Sequence, residues 1–350
     1  MKKIVRLLVM LSALLLALSF SACAKKETRP TTSESSTTAS STEDKKDNTE
    51  EEKEVEGTPI SLPTPIDYTW GKNTVRSEWL KFAEEPYVVN GNFTPQIAAV
   101  GDYLIVLTDK TKLSKYKIDG GTLKLEDSWT LDRKYETLSQ GPDNTFFVSG
   151  FMSPLIQMDL SGKKLASYSD ADCVKLKPDG KDGVGFFAGE PKKITVSDTK
   201  ATKEELSDFK GHSIGDADVS KNHLFMMGRA PEGQGERHKV FVLDYEYKLV
   251  HTLGNESDKI VDDTLGSVNG VIETDKYYVL LDGNFRQLGI WDKEGNFVGI
   301  IKDEDIFGTD YPWLSTCTVA DDGSMYIGLT EQRKEENSKY ELLIFKVSGF

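Results

Sequence analysis

Four histidines and three cysteines are the residues of this 350-residue chain with the widest chemical reach, and their spacing withholds most of it. His212, His223, His238 and His251 form no HxxxH or HExxH pair, the spacing that sets two imidazoles on one helix face around zinc. His212 stands in the Gly-rich run KGHSIGD, where a solvated loop histidine is the simpler account. Cys173 and Cys317 lie far apart with no CxxC partner, so zinc is not their role. Each sits in an apolar, strand-like run that suits a small buried core residue. A disulfide between them would require adjacent strands, which the sequence leaves open. The pairs Asp170-Ala171-Asp172 and Asp216-Ala217-Asp218 offer carboxylates of the kind calcium takes, but lack the Gly and Glu of an EF-hand loop. No GxSxG elbow, phosphate-binding loop or dinucleotide fingerprint occurs. No catalytic constellation emerges from these residues.

The remaining cysteine has a different setting. Met1-Lys2-Lys3 and Arg6 precede an apolar run over residues 7–20, followed by Ser21-Ala22-Cys23. A basic tip, a short apolar core and small residues make a secretory signal over residues 1–22, and the core is shorter than the ~20 residues of a membrane span. Ser21-Ala22-Cys23 resembles a bacterial lipobox, with Phe20 where that pattern prefers Leu. The resemblance implies a bacterial lipoprotein on the extracytoplasmic face of the cell membrane, with lipid on Cys23. Residues 23–57 are Ser, Thr, Glu, Asp and Lys with almost nothing apolar, too little to offset chain entropy. They read as a disordered tether. The basic tip contributes +3 and the tether −4 to the chain's −14, leaving −13 on the residues after Gly57. So acidic a surface repels phosphate backbones, and nucleic acid is excluded as a partner.

The elements that must position any site repeat. Residues 268–302 read as four short strands, VNGVIE, YYVLLD, QLGIWD and NFVGIIK, separated by turn residues. One such sheet cannot bury both faces and needs neighbours of its own kind. Turn anchors recur at Gly101-Asp102, Pro142-Asp143, Pro178-Asp179-Gly180, Lys221-Asn222, Thr274-Asp275 and Asp321-Asp322-Gly323, each followed by an apolar strand. Six units over residues 94–350 give about 43 residues each, the length of a four-stranded propeller blade. The last unit ends after its third strand, which would leave a bare edge. VRSEWLKF (75–82) is therefore expected to pair with ELLIFKV (341–347) and close the ring. Residues 58–71, with Pro59, Pro63, Pro65, Tyr68 and Trp70, are expected along the outside of the last unit, and leave a seventh blade open.

The 268–302 unit also carries a family resemblance. Leu281-Asp282, Gly283-Asn284, Arg286, Ile290-Trp291-Asp292, Gly295 and Phe297 fit, in order, the repeat of NHL-type propellers; the second unit keeps Met158-Asp159 and Gly162. The domain at 58–350 thus resembles the six-bladed group that includes NHL and TolB-like propellers. Asp282, Arg286 and Asp292 are read as turn-forming residues rather than ligand contacts. The resemblance implies a monomeric binding module that presents a face or channel mouth to a protein, peptide or glycan. Six-bladed lactonases of similar build hold a divalent cation such as calcium on the axis, which makes a metal-dependent hydrolase or lactonase the competing reading. The corresponding channel-lining positions are Gln96, Thr137, Asp172, Asp216, Asn269 and Thr316. Two carboxylates among six are fewer than calcium's six to eight oxygens call for, so no resident cofactor is assigned. Two longer connections, 229–238 and 331–339, interrupt the repeat, and such insertions often carry recognition.

Overall fold

The computed structural model describes residues 57–84, 86–89, 94–186, 189–229, 238–255, 260–309, 312–334 and 339–350. The signal, Cys23, the tether to residue 56, most of the 229–238 connection and the middle of 331–339 lie outside the described residues.

The described chain is an all-β, propeller-like arrangement of antiparallel sheets. Four sheets have four strands each, taken in chain order. The second unit is Thr137–Gln140, Thr145–Ser149, Leu155–Asp159 and Lys164–Tyr168. The third is Val174–Leu176, Asp182–Gly185, Lys192–Ser197 and Lys200–Glu205. The fourth is Ser213–Val219, Leu224–Arg229, His238–Leu243 and Leu249–Leu253, and the fifth is Val268–Glu273, Tyr277–Asp282, Gln287–Asp292 and Phe297–Lys302.

The remaining strands belong to one ten-stranded sheet, where six separate sheets were expected. At one end lies the first unit, Gln96–Val100, Tyr103–Asp109, Lys112–Asp119 and Thr122–Thr130. At the other lies the last, Pro312–Val319, Met325–Gln332 and Tyr340–Ser348. Asn73–Phe82 joins them because it is ten residues long and uses two stretches of its length. Arg76 to Leu80 pair antiparallel with Ser348 to Ile344, the expected union of the chain's two ends. Lys81 and Phe82 then run on to pair parallel with Thr122 and Leu123.

Residues 58–71 contribute a strand of their own. Ile66–Trp70 pairs with Asn73–Phe82 through a tight turn at Gly71, whose φ of +61° favours a residue without Cβ. Trp70 sets its ring edge-on to Tyr277, 5.4 Å between centroids. A short helix, Asp303–Phe307, packs against both strands of this hairpin, and Ser77 donates its hydroxyl to the Ile306 carbonyl. Further out, Arg333 Nε donates to Glu341 Oε1 at 2.6 Å in a buried ion pair. The same oxygen accepts the Ile60 N–H at 3.1 Å, which ties down the start of the domain.

Burial explains why the second strands read as unbroken apolar runs. Both faces of each sheet are covered, so alternate residues enter different layers. In Tyr103–Asp109, Leu104 and Val106 face Tyr326, Leu342 and Ile344 of the last unit, whereas Ile105 and Leu107 face Leu138, Phe146 and Val148 of the second. In Tyr277–Asp282, Tyr278 and Leu280 meet Phe225 and Met227 of the fourth unit, and Val279 and Leu281 meet Ile327 and Leu329 of the last. Phe147 and Leu155 pack on Val174 and Ile194, and Val184 packs on Leu224 and Met226. The apolar core of the described residues thus lies between consecutive units all the way round, the last layer joining the last unit to the first. Each fully buried Leu or Phe contributes about 1.5–3 kcal/mol relative to exposure.

Candidate functional site

The first strand of each unit faces the middle. Each packs against the next in chain order, and Pro312–Val319 packs against Gln96–Val100. The turns that follow these strands are the recurrent sequence anchors, and their residue types explain their geometry. Gly101, Asp143, Asn144, Gly180 and Gly323 all take positive φ. Ser220 Oγ accepts the N–H groups of Asn222 and His223, Thr274 Oγ1 accepts that of Tyr277, and Asp322 accepts that of Ser324. Hydroxyl and carboxylate side chains here replace backbone acceptors in the turn.

Inner strands and turns together enclose a cavity of about 710 Å³. Its floor is a charged cluster. Lys175 of the third unit, itself buried, donates Nζ to the Leu138 carbonyl at 2.7 Å. Asp218 of the fourth unit accepts the Val219 N–H at 2.9 Å on Oδ1, and the Val271 N–H at 3.2 Å on Oδ2. The Cys317 thiol of the last unit reaches the same Oδ2 at 3.5 Å, passing the fifth unit. Gly270 makes that approach possible, because a Cβ there would stand 2.7 Å from Cys317 Sγ. Asp216 completes the cluster from behind the cavity wall.

Charge burial sets the chemistry of this floor. Enclosure by protein pushes the Asp216 carboxyl up to about 7, with Lys175 pulling against it. The same burial raises Asp218. The thiols of Cys317 and Cys173 are both free and both pushed up by burial, aided by Asp218 and Glu136 respectively, so neither is an activated nucleophile. Higher on the wall, burial that would raise Glu273 is outweighed by hydrogen bonds from Lys293 and Ser220 and by His223, whose Nδ1 lies 2.9 Å away. At the rim, Asp321 of the last unit receives Gln140 Nε2 on Oδ1 at 2.9 Å and Lys221 Nζ on its carbonyl at 3.2 Å. Side chains of the second and fourth units thereby cross the mouth to the last.

A stability consequence follows from the raised carboxyls. Asp216 in the fold holds its proton up to about 7, and Asp303, raised by burial beside the short helix, does the same, against 3.8 when unfolded. Between those values the folded state binds more protons, so stability falls as pH rises from about 4 to about 7. Asp216→Asn should flatten the pH 5–7 part of this fall by roughly 2 kcal/mol. Urea midpoints of both proteins at pH 5 and 7.5 measure it; an unchanged difference between the two pH values would refute the assignment.

The six positions expected to line the channel are distributed differently from the cavity wall. Gln96, Thr137, Asn269 and Thr316 are on inner strands, but the lining residues sit one or two places nearer the turn: Ile97, Leu138, Val271 and Cys317. Three of the four make hydrogen bonds within or between units. Thr316 Oγ1 accepts the Ile97 N–H at 3.4 Å, Asn269 Nδ2 donates to the Leu314 carbonyl at 2.6 Å, and Thr137 Oγ1 stands 2.5 Å from Ser149 Oγ. Asp216 lies beside Asp218 in the floor cluster. Asp172 precedes its inner strand with φ +61° and pairs with Lys203 on the outermost strand of the third unit. Lys175 and Glu273 were not singled out in the sequence; Asp218 and Cys317 were, as one of a carboxylate pair and as a buried core thiol, but without a place at the cavity. Among the described residues no group of three or more His, Cys, Asp or Glu side chains is gathered so as to hold a metal ion.

The motif residues behave as turn formers. Asp292 accepts the N–H groups of Glu294 and Asn296 at 3.1 and 2.8 Å. Arg286 takes φ +50° in its turn, beside the Asp303 carboxyl. Asp282 is wholly buried and accepts four backbone N–H groups.

No protein-family model matches the sequence, and no curated protein matches it. In shape the chain is similar to the β-propeller domain of Cps50 (Swd1) from Myceliophteria thermophila, at 11% identity over 75% of this chain and 98% of that one, with a TM-score of 0.46. It is also similar to Kuenenia stuttgartiensis hydrazine synthase, at 14% identity over 73% of this chain and 86% of that one, with a TM-score of 0.48.

Proposed function

We propose that this chain is a lipid-anchored, extracytoplasmic binding protein, a six-bladed NHL- or TolB-like propeller that captures a protein, peptide or glycan at the mouth of its central cavity. The blade count is supported by six inner strands packed in cyclic order and by core layers between each consecutive pair of units, the last against the first. The ten-stranded sheet then counts as two blades joined by the two-residue parallel pairing of Asn73–Phe82 with Thr122–Thr130. The anchor is supported by Ser21-Ala22-Cys23 behind a short apolar run, and the reach by the polar tether after it. A monomer suits a ring whose ends already pair with each other.

One observation carries the recognition reading. The cavity has an apolar waist, a charged floor and a polar rim of turn residues, the lining typical of ligand sites. Asn222 and Lys276 are exposed at that rim. Replacing both with Trp should cover the mouth without touching the core. The expected result is that full-length protein binds fragments from an array of envelope peptides and wall glycans, and that the double variant loses at least nine-tenths of that signal at an unchanged melting temperature. Binding that survives both substitutions would move recognition away from the cavity.

A further inference from the structure

We infer that the cavity takes an aliphatic primary amine, either a lysine side chain of a peptide or a free diamine, with its ammonium on Asp218 and its methylenes along the apolar waist. This rests on the cavity being the binding site, as proposed above, and names the chemistry it selects.

The first argument is charge. The floor sets one ammonium, Lys175, against two carboxylates, Asp216 and Asp218, and Lys175 spends one of its three donors on the Leu138 carbonyl. One positive charge is missing. The other ionisable groups nearby do not supply it. Cys317 is a neutral thiol, and Glu273 already has Lys293 and His223. At the rim, Lys221 is engaged by the Asp321 carbonyl, and Lys276 is exposed on a rim that also carries Asp143, Asp275 and Asp321. Behind the wall, Cys173 faces Glu136, whose own partner is Lys110. A domain of net charge −13 draws cations toward such a cleft and repels anions.

The second argument is shape and donor count. Asp218 faces the cavity, and its Oδ2 is engaged by one long backbone N–H bond and a weak thiol donor. Acceptor capacity remains for a strong charge-assisted bond. Level with Asp218 the lining includes Ala98, and one step nearer the turns it includes Leu176, Val219 and Val319, with the already paired Glu273 beside them. Asp218 is two residues below its turn, roughly 7 Å along a strand, about the reach of a four-carbon stem. A bare hard cation would find too few oxygens here, and a neutral polyol would leave the missing charge unfilled.

In the empty cavity burial raises Asp216 to about 7 and raises Asp218 as well, so a proton on Asp216 stands in for the absent cation below that pH. The amine must displace that proton, so its affinity should rise as pH rises through about 7.

Isothermal titration of the full chain with 1,5-diaminopentane, 1,5-pentanediol, and a lysine peptide in free and Nε-acetylated forms tests this. The diamine or the free-lysine peptide should bind, at least tenfold more tightly at pH 8 than at pH 6, and the diol and acetylated peptide at least tenfold more weakly. Asp218→Asn should cost at least tenfold, with its melting temperature reporting that it is folded. Should that variant fail to fold, the pH dependence and the diol arm decide alone. Diamine binding identifies a free amine as sufficient; binding of the peptide alone assigns the source to a protein. Equal binding of diol and diamine, or affinity indifferent to pH, overturns the inference. If no amine binds while another envelope ligand does, and is lost in the Asn222/Lys276 double variant, only the amine assignment falls. If nothing binds and that variant changes nothing, the cavity reading falls with it.

Discussion

Deleting Asn73–Phe82 should abolish cooperative unfolding of this domain, though it removes only one of its many strands. The strand supplies the outer edge of the last unit, pairing from Arg76 to Leu80 with Ser348 to Ile344, and the bond to the first unit at Lys81 and Phe82. Without it, Tyr340–Ser348 presents unpaired N–H and C=O groups to any other chain, the edge that drives sheet-to-sheet association. Val75 and Leu80 are fully buried, in the layers toward the fifth and the first unit respectively, so two layers lose a wall. Leu80→Ala is the graded form of the experiment and should cost about 2–5 kcal/mol, since the packed layer around it limits collapse of the void. Leu80→Asp should exceed that by burying an unpaired charge. Urea denaturation followed by circular dichroism measures all three. A deletion mutant that still unfolds in one sharp transition near the wild-type midpoint would show that the fold does not depend on this strand.

That pairing was legible because two independent signs agreed: a last unit one strand short, and an orphan apolar strand at the other end. The parallel pairing of Lys81 and Phe82 with Thr122 and Leu123 was not legible, because two residues have no periodicity to read. Nor was Ile66–Trp70, where Pro59, Pro63 and Pro65 argue against sheet although the strand begins directly after the last of them. The short helix Asp303–Phe307 has only five residues, below any detectable helical period. At the site, the turns were placed to the residue by Gly, Asp, Asn and Ser, whose φ values and side-chain acceptors define a turn locally. The lining residues were displaced from the expected ones because depth along an inner strand depends on how neighbouring units pack. Ile97, Val271 and Cys317 line the cavity, while Gln96, Asn269 and Thr316 lie one or two residues beyond it. Bulges near Gly215, Asn269 and Ser315 in three inner strands shift their pairing further.

The motif residue with the largest expected effect is Asp282. It ends the second strand of the fifth unit with no exposed surface. Its Oδ1 accepts Ser267, Asn284 and Phe285 N–H at 3.1 Å each, and Oδ2 accepts Gly266 N–H at 2.7 Å. Two of these donors belong to its own turn and two to the connection that leads into the inner strand of the unit. One carboxylate therefore holds the hairpin to the entry of Val268–Glu273, whose Val271 N–H in turn bonds Asp218 at the cavity floor. Asp282→Ala removes the acceptor and leaves four backbone donors in a site water reaches poorly, each costing about 1–3 kcal/mol if it finds no other partner. The substitution should destabilise the domain by about 4 kcal/mol or more, among the largest single-residue effects a domain shows. Asp282→Asn keeps one carbonyl acceptor and should lie between. Because the connection touches the floor through Val271, hydrogen exchange at Gly266, Ser267, Val271, Asn284 and Phe285 should quicken together in the Asn variant. Exchange that quickens only at Asn284 and Phe285 would reduce Asp282 to an ordinary turn former with no hold on the inner strand.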